Sequence, residues 1–185
     1  ANLTSVISYE LDRLTPFSSD DALYDFKLLG EKDEKLSIMI WAARTNLVRP
    51  YLEALGKEGI VVKRVTVGLS SLGTMTQYLS KDPAKIFLDH HRYGYQGGLV
   101  AEGELVAAIG GVFDGEDKAA KAGRVVAELH ALVNEAKRRE LSPTVLVYHD
   151  SGEHLLSEDD LGVPLQILKN KEVQEKLYAE QSDIP

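Results

Sequence analysis

The sequence predicts an α/β protein in which a mixed β-sheet carries helices on its faces and follows a small α+β subdomain. Segments with apolar residues at every second position alternate with segments of helical periodicity. Hydrophobic residues make up 44% and charged residues 27% of the 185 positions, as in ordinary globular proteins. Gly68 marks a boundary without a Pro- or Ser-rich linker, so we expect two adjoining subdomains, residues 1–67 and 68–185.

The first subdomain is expected to run helix, strand, strand, helix, strand. Pro16 ends the first helix because it lacks an N–H group, and the apolar stripe of that helix comprises Leu3, Val6, Ile7, Leu11 and Leu14. Strands are expected at residues 22–29 and 36–43, with a charged loop between them, and a third, β-branched strand at 60–67. Asn46 is the expected N-cap of the intervening helix.

The second subdomain is expected to form around a strand at residues 85–89. Glu102-Gly103 is a suitable two-residue turn for a following hairpin. A long helix at 116–139, with Asp114 as its expected cap, carries an apolar stripe of Ala122, Val125, Val126, Leu129, Val133 and Ala136. The other expected elements are a helix at 70–79, hairpin strands at 94–101 and 104–109, strands at 144–148 and 164–168, and a charged terminal helix.

Composition and charge exclude several functional classes. The chain has no cysteine, which excludes thiolate metal sites, thiol nucleophiles and disulfides. Its net charge of −8 argues against nucleic acid or anionic lipid as the main partner, because both need a basic surface. The longest uncharged apolar segment, residues 105–113, is too short to span a bilayer, so we expect no direct membrane insertion by residues 1–185.

Asp89-His90-His91, at the end of the strand at 85–89, is the first cluster that could carry chemistry. Carboxylate and imidazole groups can bind a divalent metal. The tripeptide resembles the third motif of the DHH phosphoesterases, which implies a manganese-dependent phosphoesterase as one alternative function. That family also has an earlier histidine, whereas His90 is the first histidine of this chain. The competing interpretation is that Asp89 ends a strand and the histidines face solvent or a neighbouring loop.

The loop His149-Asp150-Ser151-Gly152-Glu153-His154 is the second cluster. Ser151 could be a nucleophile with a histidine base and an aspartate to orient it, but adjacent side chains on one loop point in different directions. The glycine that a nucleophile elbow has two positions before its serine is also missing. A strand-to-helix loop is favoured, and His130 on the long helix is expected to be a surface residue.

No GxxxxGK[ST] phosphate loop occurs in the sequence. The hairpin region is rich in glycine, with Gly94, Gly97, Gly98, Gly110 and Gly111. Such glycines could let a phosphate approach the backbone, but glycines in strands more often mark bulges and bends.

The most distinctive part of the chain is Tyr9-Glu10-Leu11-Asp12-Arg13-Leu14-Thr15-Pro16-Phe17, which Tyr24-Asp25-Phe26 follows. It resembles the cytoplasmic domains of type II secretion L proteins and the related type IV pilus assembly M proteins. The resemblance implies an actin-like (ribonuclease H-like) fold that is N-terminally truncated, because the strands that carry the family's first phosphate loop are absent. Glu10 and Arg13 can pair one helical turn apart, which is a structural role.

The resemblance places two residues at the family's nucleotide loops. Asp89 falls at the second phosphate loop and Gly152 at the adenine-side glycine loop. The family has a small residue and a glycine after this aspartate, whereas here His90 and His91 follow, and their bulk would crowd a phosphate cradle. We therefore expect vestigial loops, no cofactor, no metal and no enzymatic activity. A nucleotide-binding actin-like switch whose first phosphate loop lies upstream is a further alternative.

The function that the resemblance implies is a non-catalytic assembly scaffold, the cytoplasmic domain of an inner-membrane protein in a secretion or pilus platform. Its expected partners are the secretion or pilus ATPase and other platform subunits, and a homodimer is possible. Residues 149–185 carry nine acidic and three basic side chains. We expect this acidic region to contact the ATPase through Glu153, Glu158, Asp159 and Asp160.

Overall fold

The computed structural model of the chain describes residues 2–16, 18–32, 34–149 and 156–179. The chain forms two compact units, Ala1–Val67 and Gly68–Pro185. Across the described residues, no helix is both long enough and apolar enough to cross a membrane.

The first unit contains a helix, a β-hairpin and a second helix, in the order α1 (Leu3–Leu14), β1 (Ala22–Lys32), β2 (Lys35–Arg44) and α2 (Thr45–Lys57). α1 ends before Pro16 as predicted, because a proline disfavours a helical conformation at the residue that precedes it. β1 and β2 are antiparallel, and they extend well into the expected loop at 30–35. That prediction was wrong because the charged residues of this loop belong mostly to strands.

Burial in the first unit follows the predicted patterns in part. α1 packs through Ile7 and Leu11, which are 3% and 0% exposed, whereas Val6 and Leu14 on the margins of its stripe are exposed. In β1, exposed side chains alternate with half-buried ones such as Phe26, as expected for a strand with one covered face. In β2, by contrast, the successive residues 38–43 are all half-buried, so side chains on both faces of that strand are partly covered.

Two further predictions for the first unit are wrong. Asn46 lies inside α2, whose N-cap is Arg44, and the Arg44 side chain makes no capping hydrogen bond. Residues 60–67 form no paired strand, although six of the eight are β-branched. β-Branched residues favour strands mainly through packing against neighbouring strands, and the described part of this unit provides no such neighbour for residues 60–67.

The second unit is built on a five-stranded sheet of order β5-β4-β3-β6-β7. Its elements are α3 (Leu72–Leu79), β3 (Ala84–His91), β4 (Gly94–Ala101), β5 (Glu104–Val112), α4 (Lys118–Arg138), β6 (Thr144–His149), α5 (Glu158–Leu161), β7 (Leu165–Leu168) and α6 (Asn170–Ala179). β3, β4 and β5 are antiparallel, whereas β3, β6 and β7 are parallel. The predicted mixed sheet with flanking helices is confirmed.

Helix α4 forms the main core with one face of this sheet. Its buried residues are Val125, Leu129, Leu132, Val133 and Ala136, and they cluster with Ile86, Leu88, Leu99, Val145 and Val147 of the central strands. The helix is capped by Asp117, whose carboxylate accepts a hydrogen bond from the Ala120 N–H at 2.8 Å. The sequence-based assignment of the cap to Asp114 was therefore wrong by one helical turn.

The β4–β5 turn and helix α3 approach each other very closely. Glu102 and Gly103 both have positive φ, 51° and 82°, which suits a two-residue hairpin turn as predicted. A Cβ atom on Gly73 of α3 would lie 1.9 Å from the Gly103 carbonyl oxygen. Glycine at position 73 is what allows the helix to pack against this turn.

Candidate functional site

The parallel strands β3 and β6 are neighbours, so their carboxyl ends lie side by side at one end of the sheet. Ligands of open α/β sheets commonly bind beyond the carboxyl ends of the strands. β3 ends with Asp89, His90 and His91, and β6 ends with His149, which aligns with His90. The following β4 pairs back on β3, so Tyr95 also lies opposite His90. This edge brings together the residues that the sequence analysis singled out on β3.

Asp89, His90 and His91 do not converge on one point. Successive side chains of a strand point to opposite faces of the sheet, so His90 shares a face with Ile86 and Leu88 while Asp89 and His91 lie on the other. His90 is 5% exposed, whereas Asp89 and His91 are half-buried. No group of three potential metal ligands exists among the described residues. The geometry therefore gives no support to a metal site made of all three residues.

His90 belongs to an aromatic cluster with Tyr95 and Phe113. The His90 and Phe113 ring centroids lie 5.6 Å apart, and those of Tyr95 and Phe113 lie 5.5 Å apart. The Lys121 ammonium lies 5.2 Å from the Phe113 ring centroid, and the Arg124 guanidinium lies 5.8 Å from that of Tyr95. Burial raises the pKa of the Tyr95 hydroxyl. His90 is buried rather than exposed to solvent, and its ring packs against Phe113 in the loop between β5 and α4, so of the two expected surroundings, solvent or a neighbouring loop, the structure shows the loop.

Arg124, the cation over the Tyr95 ring, is held in place by the end of β5 and by the loop before α4. Arg124 donates hydrogen bonds to the Val112 carbonyl oxygen at 3.1 Å and to the Glu116 carboxylate at 2.9 Å. The hydrogen bond to Val112 therefore ties the end of β5 to α4, while the cation–π contact ties Tyr95 of β4 to the same helix. The aromatic cluster was not predicted from the sequence.

Asp89 is held on the opposite face. Its carboxylate accepts a hydrogen bond from the Gln96 side-chain amide at 3.0 Å, across the β3–β4 pair. Two residues, Arg92 and Tyr93, link the strands, and the Tyr93 N–H donates to His91 Nδ1 at 3.3 Å. The sequence analysis expected the imidazoles of both histidines to crowd a phosphate cradle at Asp89. Only His91 lies on the same face of the sheet as Asp89, because His90 points to the other face.

The glycines of the hairpin region allow close contact between strands. A Cβ atom on Gly94 would lie 2.3 Å from the Gly111 carbonyl oxygen, and one on Gly97 would lie 2.2 Å from the Phe87 carbonyl oxygen. The register also shifts between Leu99 and Val100, where a bulge occurs. Close backbone approach explains these glycines.

The loop after β6 contains Asp150, Ser151, Gly152, Glu153 and His154, all of which lie outside the described residues. The assignments of Gly152 to an adenine-side loop and of Glu153 to a docking surface therefore stay predictions. Of this region, the structure shows only that β6 ends beside the carboxyl end of β3, where Asp89 lies.

The other three predicted docking residues form the short helix α5. Ser157 and Asp160 make a capping box, in which the Ser157 N–H donates to the Asp160 carboxylate at 2.8 Å. The Glu158 carboxylate accepts a hydrogen bond from the Leu165 N–H at 3.1 Å. Asp159 is exposed and forms no hydrogen bond or ion pair with other described residues. Asp160 and Glu158 therefore stabilise the local fold, and Asp159 is available for a partner.

The distinctive N-terminal motif has the structural role that was expected. Arg13 forms an ion pair with Glu10. The Asp12 carboxylate accepts a hydrogen bond from the Ser19 N–H at 2.6 Å, which fixes the turn after α1. This contact of Asp12 was not predicted, because it links residues seven positions apart across a proline.

No protein-family model matches the chain, and no curated protein matches it. Among solved structures, the PilM-PilN type IV pilus biogenesis complex matches with a TM-score of 0.62 and 18% identity. The match covers 97% of this chain and 66% of the other, so the chain spans slightly less than two thirds of that protein. A Bacteroides thetaiotaomicron protein described as having an actin-like ATPase fold and unknown function matches with a TM-score of 0.45 and 10% identity, over 94% of this chain and 65% of that one.

The first similarity and the sheet topology together establish the fold. A sheet of three antiparallel strands continued by two parallel strands, with a long helix between the third and fourth strands in sequence, forms the second unit. The chain therefore shares its α/β fold with a component of the PilM-PilN complex, and the mixed sheet with helices on its faces is as predicted.

Proposed function

We propose that the chain is a non-catalytic assembly scaffold of a type IV pilus or type II secretion platform, acting on the cytoplasmic side of the inner membrane. Its similarity in fold to a component of the PilM-PilN complex supports this proposal. So does the N-terminal motif, which resembles that of the L and M proteins. Other platform subunits and a hexameric assembly ATPase are the proposed partners.

The observation that carries the non-catalytic part of the proposal is the state of Asp89. The sequence resemblance implies that this carboxylate falls at the family's second phosphate loop, and in the structure it accepts a hydrogen bond from Gln96. The connection that follows β3 is a two-residue hairpin turn rather than a glycine-rich loop. A phosphate cradle needs several backbone N–H groups pointing at the ligand, and a turn this short offers few.

We assign ATPase docking to the surface of α5. Glu158, Asp159 and Asp160 follow one another there and are exposed, within the part of the chain that has the largest acidic excess. A basic surface on the ATPase would be attracted to this helix, and such attraction acts mainly on the rate of association and on salt dependence. Because Asp160 and Glu158 also stabilise the helix, Asp159 is the residue whose charge can be reversed without loss of a described contact.

The direct test compares the variants Asp159→Lys and Asp114→Lys in binding to the ATPase. Asp114 is also exposed and forms no described contact, so it controls for net charge. We expect Asp159→Lys to weaken binding about three- to tenfold and to reduce its salt dependence, and Asp114→Lys to have little effect. Equal effects of the two variants, or none, would contradict docking through α5.

Thermal unfolding with Mg-ATP or Mn²⁺ would detect ligand binding that the scaffold does not predict. A ligand at about one hundred times its dissociation constant stabilises the folded state by about 2.7 kcal/mol. We expect no shift with either addition. Stabilisation by Mg-ATP would favour the nucleotide-binding switch, and stabilisation by Mn²⁺ that Asp89→Asn removes would favour the phosphoesterase.

A further inference from the structure

Strand β5 forms one edge of the five-stranded sheet, and it is long and uncharged for an edge strand. It has nine residues, whereas β7 at the opposite edge has four. Residues 105–112 contain neither a charged side chain nor a proline. Natural proteins usually keep edge strands short, charged, bulged or covered, because unpaired backbone groups attract other strands. A bulge interrupts the pairing of β5 only near its start, opposite Leu99 and Val100.

The hydrogen bonds at the end of β5 identify the backbone groups that face away from the sheet. The Phe113 N–H donates to the Tyr93 carbonyl oxygen at 2.9 Å. Opposite residues of antiparallel strands alternate between bonded and non-bonded pairs. Counting back from Phe113, Gly110 and Ala108 therefore direct their N–H and C=O groups away from β4. Both residues are exposed, and neither forms a hydrogen bond to a described residue outside the sheet.

Val112 also faces outwards by the same alternation. Its carbonyl oxygen accepts the hydrogen bond from Arg124, a cation that is already paired with Glu116. Its side chain is 71% exposed. The open part of this edge thus comprises the N–H and C=O groups of Ala108 and Gly110 together with the Val112 N–H, and an exposed apolar side chain borders it.

The charges at the two ends of β5 indicate which kind of strand fits this edge. Glu102 precedes β5 and Asp114 follows it; both are exposed, and neither forms an ion pair among the described residues. Antiparallel pairing of two copies centred on Ile109 would place Glu104 opposite Asp114 of the second copy, and like charges directly opposite each other are destabilising. The net charge of −8 adds to this repulsion. A second copy is therefore disfavoured, whereas basic residues at both ends of a pairing strand would compensate the carboxylates.

We propose that the outer edge of β5 binds an extended peptide segment of a partner protein. The segment has an uncharged apolar centre of about six residues, the length that residues 107–112 can pair, and a basic residue at each end. Addition of a strand to an existing sheet edge is a common mode of peptide recognition, in which main-chain hydrogen bonds provide affinity. A large apolar side chain opposite Gly110 would cover the space that this glycine leaves open. The surface does not involve α5, so the proposal is independent of ATPase docking.

The test uses two synthetic peptides with blocked termini and the same apolar centre, one with lysine and the other with glutamate at both ends. Amide hydrogen exchange of the whole chain, resolved by residue, should slow at the Ala108 and Gly110 N–H groups when the lysine peptide is added. We expect the lysine peptide to bind about tenfold more tightly than the glutamate peptide. Asp114→Lys should reduce this preference, whereas Asp159→Lys, on α5, should leave it unchanged.

Substitutions of Gly110 test the backbone pairing itself. Gly110→Pro removes an N–H donor that faces outwards, where an edge strand tolerates proline, so it should abolish peptide binding and keep the sheet. Gly110→Ala is the matched control, because it keeps the donor and its Cβ would come no closer than 3.4 Å to the Tyr95 carbonyl oxygen. Slow exchange of the Gly111 N–H, which bonds to β4, verifies that the sheet is intact in both variants. If the proline variant does not fold, Asp114→Lys and the pair of peptides still decide.

Three results would overturn the proposal: no binding of the lysine peptide, equal binding of the two peptides, or binding that leaves exchange at Ala108 and Gly110 unchanged. Protection of these two N–H groups that rises with the concentration of the chain, without any peptide, would also overturn it. That result would show that a second copy of the chain occupies the edge.

Discussion

The Nε2 atom of His130 lies 2.7 Å from the backbone carbonyl oxygen of Asp160. A carbonyl oxygen can only accept, so the imidazole donates this hydrogen bond. It connects the middle of α4 to the end of α5, the short helix that carries the proposed docking residues. His130 is exposed, as expected from the sequence, yet it has a defined role in holding α5 against the core.

Loss of this hydrogen bond should therefore destabilise the second unit. We expect His130→Ala to lower the free energy of unfolding by about 0.5–1.5 kcal/mol, the usual net contribution of one hydrogen bond. Asn134→Ala, one helical turn further along α4, is exposed and loses no described contact, so it should be neutral. Urea denaturation of both variants measures the difference. If the two variants were equally stable, the His130–Asp160 contact would have no energetic role.

Gly73 and Gly123 should respond in opposite directions to the same substitution. An alanine Cβ at position 73 would lie 1.9 Å from the Gly103 carbonyl oxygen, whereas nothing lies within 4 Å of one at position 123. We expect Gly73→Ala to destabilise the protein by about 1–3 kcal/mol, because backbone must move. Gly123→Ala, in α4, should stabilise it by about 0.5–1 kcal/mol through helix propensity. Thermal unfolding of the pair checks both signs.

The elements that could be predicted from the sequence are those that local rules determine. Pro16 sets the end of α1, and Glu102-Gly103 supplies the backbone conformations of a two-residue turn. The apolar stripe predicted for α4 identifies the side of the helix that faces the core. Leu132 is also buried, although it was not in the predicted stripe. Where two aspartates could cap α4, local preference does not distinguish them, and Asp117 rather than Asp114 is the cap.

The environment of the candidate site depends on contacts that the sequence does not show. β3 is a central strand with both faces covered, so alternation along Asp89-His90-His91 does not reveal which residue enters the core. His90 does so because Phe113, more than twenty positions away, packs against it. Residues 60–67 are the opposite case. Their high strand propensity can be read from the sequence, but the described residues contain no strand that pairs with them.

The free energy of unfolding should increase at alkaline pH because of Lys85. Its side chain is almost completely buried at the start of β3, and burial lowers the pKa of its amine, an effect that the charge of Asp82 partly opposes. Between the folded pKa and the usual value of 10.5, the unfolded chain binds more protons, so stability increases as pH rises. We expect Lys85→Met to remove this increase and to be as stable as the original chain, or more so, at pH 7.

Thermal unfolding between pH 7 and about 9.5 gives the comparison for Lys85, with Lys137→Met as the control at an exposed position of α4. Higher pH should be avoided because burial raises the pKa of Tyr95, and its titration lowers stability once the unfolded tyrosine ionises. If Lys85→Met kept the full alkaline rise, Lys85 would not be its source.

Asp160 should contribute to loss of stability in acid. The Ser157 hydroxyl, followed by the Ser157 backbone N–H, lowers the pKa of its carboxyl below the usual value of 3.8. The folded state therefore binds fewer protons near that pH, so the contribution of Asp160 is complete above pH 3.8 and disappears as pH falls through the folded pKa. We expect Asp160→Asn to show a shallower fall in stability on acidification, and Ser157→Ala to show the same change more weakly.

The neighbouring variant Asp159→Asn provides the control, because it removes an equal charge from the same helix without breaking a described contact. Urea denaturation between pH 2 and 6 should give this variant the acid dependence of the original chain. Should Asp159→Asn flatten that dependence as much as Asp160→Asn does, the effect would come from the total charge of α5 rather than from the capping box. The assignment of Asp160 to structure and Asp159 to docking would then have to be abandoned.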